Sequence, residues 1–154
     1  MAAEAVGDGR HRIVVGVDGS DSSKAALAWA IQQARLTGAS LEAVIAWHYP
    51  TTYGYPLAVA PISSAAEVAQ RVLTTTLDEV GRDIGGRVDI TPRVLEGNAA
   101  RVLLDESDGA DLLVVGSRGY GGFAEALLGS VGQHCVHHAA CPVAVIRGPL
   151  PAAG

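Results

Sequence analysis

Valine, isoleucine and leucine fall in short blocks along this chain, and between the blocks apolar positions recur every three or four residues. RIVVGVD, Arg12 to Asp18, is a β-branched run and predicts a strand buried on both faces. Ala25, Leu27, Ala28, Ile31 and Ala34 follow at helical spacing, with Ser20 to Ser22 as caps and Gly38 as the stop. Ser40 to Trp47 predicts a second strand. Ser64-x-x-Glu67 has the form of a capping box and opens a helix whose apolar face is Ala65, Val68, Val72, Leu73, Leu77, Val80 and Ile84. Val88 to Leu95 predicts a third strand. Pro92 has no N–H for a ladder, so this strand belongs at an edge. Asn98 caps a short helix through Ser107, Asp111 to Gly116 is a fourth strand, helix returns near Ala124 to Ala139, and Pro142 to Arg147 is a fifth strand.

Strand and helix alternate throughout. Such alternation predicts an α/β fold, a parallel sheet with right-handed crossovers and helices on both faces. Five strands in this order suit one doubly wound domain over 11–148, with a flexible arm at 1–10 and a short tail at 149–154. Residues 48–63 hold three prolines and three tyrosines and show no period, which predicts a long loop of the kind that often carries function.

Composition narrows the function. The net charge is −5 and Lys24 is the one lysine, so no basic stripe exists to meet a nucleic acid. MAAEAVGDGRHR at the start lacks the apolar stretch of a signal peptide, and no apolar run reaches the ~18 residues of a membrane span. The expectation is a cytoplasmic protein that engages neither membrane nor nucleic acid. Cys135 and Cys141 are too few for a disulfide scaffold.

VGSRGYGGFAEALLGS, residues 115–130, holds five glycines directly behind the fourth strand. In open α/β sheets ligands bind beyond the carboxyl ends of the strands, at the switch point. The other unusual strand end is Asp18-Gly19-Ser20. Glycines let backbone N–H groups approach phosphate oxygens with no Cβ in the way. A helix beginning at Ser130 adds free N–H groups and partial positive charge, the Ser130 hydroxyl can donate to a terminal phosphate, and Arg118 can add charge. The stretch reads as an anion cradle.

The spacing Gly116-x2-Gly119-x9-Gly129-Ser130 resembles the nucleotide-binding signature of the universal stress protein family, in its ATP-binding branch. VVGVDGS at the first strand end and HAACPVAVIR at 138–147 resemble that family's opening and closing segments, so the likeness runs from Arg12 to Arg147. The resemblance implies a five-stranded parallel sheet in the order 3-2-1-4-5 that binds ATP with Mg. Gly116, Gly119, Gly129 and Ser130 match ribose- and phosphate-contacting positions, with Arg118 and Val131 in the same segment. Gly16, Val17 and Asp18 match the first strand's contacts to the nucleoside. Ala46, or Trp47 one residue on, matches a small apolar position beside adenine. Asp18 suits the nucleoside on physical grounds too: beside a triphosphate it would be repelled unless a cation intervened, whereas on ribose hydroxyls it accepts hydrogen bonds freely. The resemblance also implies a homodimer through the fifth strand, and a regulatory output through a protein partner the sequence does not name.

Competing readings meet specific obstacles. Gly119-x-Gly121-x-x-Ala124 mimics a dinucleotide fingerprint, but it follows the fourth strand and no Asp or Glu occurs after Glu125. No GxxxxGK[ST] is present. A nucleotidyl transferase or an ATP pyrophosphatase would carry an HxGH-like or SGGxDS-like motif, and neither appears. An interaction module of the same family without nucleotide would have lost the glycine spacing, which is intact here. His134, His137 and His138 read as a solvated helix end that suits the helix dipole rather than a metal site. Cys135 reads as packing on the helix's inner face. Nothing in the motif offers a base to activate water, so hydrolysis is expected to be slow at most.

Overall fold

The computed structural model describes residues 11–48, 51–52, 55–56, 62–81, 88–118 and 129–148. The expected arm at 1–10, the tail at 149–154 and the stretch 119–128, which includes Gly119, lie outside the described residues. Among the described residues the elements run in the order β1 (Arg12–Gly16), α1 (Asp21–Thr37), β2 (Ser40–Trp47), β3 (Thr51–Thr52), β4 (Tyr55–Pro56), α2 (Ile62–Gly81), β5 (Ile90–Glu96), α3 (Ala99–Glu106), β6 (Leu112–Gly116), α4 (Ser130–His138) and β7 (Val143–Ile146).

The main sheet has five strands in the order β5-β2-β1-β6-β7, every neighbouring pair parallel. Counted in chain order these strands run 3-2-1-4-5, as expected. Successive residues of a strand face opposite sides, and the core divides accordingly. Ile13, Val15, Val17, Leu41, Ala43, Ile45 and Val114 pack against Ala26, Leu27, Ala30, Ile31 and Ala34 of α1 and Ala69 and Leu73 of α2. Val14, Val44, Leu113 and Val115 pack against Val102 and Leu103 of α3 and Cys135 of α4. Helices cover both faces, which explains why the strands are continuous apolar runs rather than alternating ones. Leu27, Leu41, Leu73 and Leu113 are fully buried, each contributing about 1.5–3 kcal/mol of transfer free energy.

Local signals set most boundaries. Ser20 caps α1 by accepting from the Ser23 N–H, and Gly38 ends it at φ 76°. Asn98 caps α3 by accepting from the Arg101 N–H. Pro92 lies opposite Ala43 in β5, which is an outer strand of the sheet, where its missing N–H costs no ladder bond. Several boundaries differ from the sequence reading: β1 stops at Gly16 rather than Asp18, β6 starts at Leu112, and β7 spans Val143–Ile146, as strand pairing ends there. Within the loop expected at 48–63, β3 and β4 pair antiparallel, a ribbon of two-residue strands too short to show any period. α2 begins at Ile62, so the Ser64–Glu67 box lies inside the helix rather than at its start. β5 begins at Ile90, two positions after Val88, because pairing with Leu41 begins there.

Candidate functional site

β1 and β6 are neighbours at the centre of the sheet. The chain leaves β1 through α1 toward β2 on one side, and α4 carries it from β6 toward β7 on the other. Connections that diverge in this way open a crevice at the carboxyl ends of the two strands. With Val15 opposite Val114 in parallel register, Gly16 to Asp18 and Gly116 to Arg118 follow at the same end of the sheet.

Gly16 and Gly116 each have a packing reason for lacking a side chain. A Cβ on Gly16 would stand 2.8 Å from Leu103 Cδ1 on the α3 face. A Cβ on Gly116 would stand 2.5 Å from Ser22 Oγ and 2.8 Å from the Ser22 carbonyl carbon and oxygen, on the α1 face. Val17 is buried, its side chain in the α1/α2 core and its N–H donating to the Val44 carbonyl at 2.8 Å.

Asp18 is half-buried in a tight turn. Its Oδ1 accepts from the Ser20 N–H at 2.8 Å, and its own N–H donates to Ser23 Oγ at 3.2 Å. Gly19 follows at φ 84°, a left-handed conformation that a side chain would strain. In the structure Ser20 caps the helix and Asp18 braces the loop ahead of it, which fixes its carboxyl at the end of β1.

The second wall is α4. Its N-cap, Gly129, is extended at φ −67° and ψ 163° and makes no side-chain cap. Among the described residues, no side chain therefore caps the first-turn N–H groups of Ser130, Val131 and Gly132, and no acidic residue sits in that turn. Gly129 is tied to the end of β6: its N–H donates to the Ser117 carbonyl at 2.7 Å. That bond holds the start of α4 against the end of β6. Ser130 is exposed and Val131 half-buried against the α3/α4 core.

Ala46 and Trp47 end β2 and point to opposite faces. Ala46 packs on the α3/α4 side, which it shares with Val131, and Trp47 packs on the α1/α2 side. Gly119 lies outside the described residues.

Other chemistry-bearing groups sit elsewhere. The His134 and His138 rings approach to 4.9 Å on α4, and among the described residues no group of three His, Cys, Asp or Glu could hold a metal. Cys135 is buried, and that burial pushes its thiol up to about 11. Arg12 anchors the opposite end of the sheet, donating to the Glu106 carbonyl at 2.9 Å and the Asp108 carbonyl at 3.0 Å, with Glu42 at 3.3 Å. Asp111 accepts from the Arg12 N–H at 2.8 Å, the main cause that holds its carboxyl below the usual range. Sequence reasoning missed Ser22 and Ser23, both buried, which join the two strand-end loops. The run GSDSS signalled capping and nothing about reach across the fold.

Residues 9–147 match the Universal stress protein family. A universal stress protein of Mycobacterium tuberculosis strain H37Rv is 37% identical over 138 residues, a match that covers 90% of this chain and 46% of that protein. A universal stress protein of Mycolicibacterium smegmatis is 34% identical over 150 residues, covering 93% and 50%. The chain thus spans about half the length of the curated relatives it matches. Among solved structures, the universal stress protein UspA from Lactobacillus plantarum superposes with a TM-score of 0.75 at 24% identity, over 89% of this chain and 97% of that one. A universal stress protein in complex with cAMP gives 0.66 at 29% identity, over 90% and 97%. No helix among the described residues is long and apolar enough to cross a membrane. On the family match over residues 9–147, the chain belongs to the universal stress protein family.

Proposed function

We propose that this chain binds an adenine nucleotide in the crevice between β1 and β6, that the ligand is ATP with Mg, and that its role is regulatory. The observation that carries the reading is the first turn of α4: N–H groups that no side chain among the described residues caps, held against the end of β6 by the Gly129–Ser117 hydrogen bond. Such a turn suits an anion, because its N–H groups and dipole both favour negative charge. In this reading the phosphates sit on the 116–130 loop, with the Ser130 hydroxyl and N–H donating to them and Arg118 adding charge. Asp18 accepts from ribose hydroxyls, beside the backbone of Gly16 and Val17, and Ala46 meets the base. The likeness to a family member solved with cAMP supports an adenine ligand. Mg would enter on the phosphate oxygens, which suits an ion that keeps most of its waters.

Asp18 already accepts from the Ser20 N–H, which suits it to hold hydroxyls rather than to deprotonate a water. Hydrolysis is accordingly slow at most, and the output is a change of shape or of protein partner. The domain pairs with its copy through β7, an outer strand of the sheet. Mass spectrometry of nucleotide released from the purified protein, followed by calorimetry with ATP, AMP and cAMP with and without Mg, tests the reading. Saturable ATP binding strengthened by Mg is expected. Absence of binding by all three nucleotides would sink it.

A further inference from the structure

Three segments far apart in the chain meet at Ser22, in the first turn of α1. The residue is 4% exposed. Its Oγ accepts from the Arg118 N–H at 3.2 Å, where the loop leaves β6, and donates to the Ile146 carbonyl at 3.5 Å, at the end of β7. That carbonyl also accepts from the Ser117 N–H at 2.9 Å. Glycines make the approach possible on two sides. A Cβ on Gly116 would strike the Ser22 hydroxyl and carbonyl, and one on Gly148 would stand 3.1 Å from Ser22 Cα.

We propose that Ser22 is the positioning residue of Arg118: its buried hydroxyl holds the Arg118 amide and so fixes the backbone from which Arg118 meets the phosphates. The proposal rests on the nucleotide reading above. The Arg118 N–H lies beyond the ladder of β6, which ends at Gly116, and a buried hydroxyl supplies the partner the sheet no longer can. Gly129, the N-cap of α4, is likewise bound to Ser117, so Arg118 and the start of α4 are both held at the end of β6. Backbone donors held in this way lose less freedom when phosphate binds. Ser22 itself makes no ligand contact, and its effect falls on the phosphates and not on the nucleoside.

Two measurements test this. In the wild-type protein without nucleotide, the Arg118 amide should exchange its hydrogen at least roughly tenfold more slowly than the exposed, uncapped Ser130 amide. Equal rates would overturn the clamp, and this arm requires no variant to fold. Ser22→Ala, checked for folding by circular dichroism, should lose about tenfold in ATP affinity, a typical hydrogen bond's worth, while adenosine affinity stays within about twofold. Equal losses for ATP and adenosine would mean a general structural role and overturn the positioning role alone. A wild-type protein that bound neither ligand would overturn the nucleotide reading and the positioning role with it.

Discussion

Gly16 and Gly116 look alike in the sequence, each the last residue of a central strand, yet their neighbours differ in kind. The space beside Gly116 holds the backbone of Ser22, and backbone in a helix's first turn cannot step aside. Gly116→Ala should therefore destabilise by about 1–3 kcal/mol, the usual range for overpacking. Beside Gly16 lies the far end of the Leu103 side chain, which can rotate. Gly16→Ala should change stability by less than about 1 kcal/mol, because the lost chain entropy of glycine offsets the repacking. Urea unfolding of both variants checks the contrast, and equal effects would show that the close approach at Gly116 does not govern. For ligand binding, Ser130→Ala should weaken ATP by roughly 1.5–3 kcal/mol, one hydrogen bond to a charged group. Asp18→Ala should weaken ATP and adenosine by similar factors in calorimetry. A loss confined to the Mg-dependent part of ATP binding would make Asp18 a metal ligand instead.

Helix α4 contributes the turn that faces the crevice, and Cys135 is its anchor in the α3/α4 core. Burial, with a smaller contribution from Cys141, raises the Cys135 thiol from 9.0 to about 11. The folded thiol keeps its proton at pH values where the unfolded one has lost it. Its contribution to stability is therefore complete below pH 9 and is lost as pH rises toward 11. Urea midpoints measured across that window should fall, and Cys135→Ala should flatten the slope; an unchanged slope would assign the effect to other groups. The same protonation should leave Cys135 inert to thiol reagents in the folded protein while the half-buried Cys141 reacts first. Asp111 works in the opposite direction at the far end of the sheet. Its lowered carboxyl favours the fold above its ordinary value of 3.8, and the benefit goes as pH falls below it, a small effect for so exposed a group.

The two outer strands of the molecule are unequal. β5 carries Pro92, which blunts its edge. β7 has no lysine and no proline within it, its four residues are half-buried, and its nearest charge is Arg147. An unpaired edge of this kind invites pairing, and two-fold contact between copies is the closed solution. Light scattering at tens of micromolar should report a dimer, and Val145→Lys should disfavour it by bringing like charges together near the axis. Val145 also packs against the α3/α4 core, so circular dichroism must first show the variant folded. A folded, dimeric Val145→Lys protein would move the interface elsewhere, and a monomeric wild type would refute the dimer.

Periodicity and caps are local properties, and what depends on them was legible in the chain alone. The five strands, α1 between Ser20 and Gly38, the cap at Asn98 and the edge position announced by Pro92 all follow from neighbours a few residues apart. The glycine spacing from Gly116 to Ser130 is equally local, and the proposal of an anion cradle rests on it, since such a cradle needs a stretch of backbone without side chains. The β3–β4 ribbon left no trace, because two residues make no period. Nor could spacing separate glycines cleared for a helix from glycines cleared for a ligand. That distinction belongs to Gly116 and Ser22, to Gly16 and Leu103, and to the faces on which Ala46 and Trp47 fall. Such partners lie far apart in the chain and become neighbours only when the sheet closes, so nothing in the residues beside them records the contact.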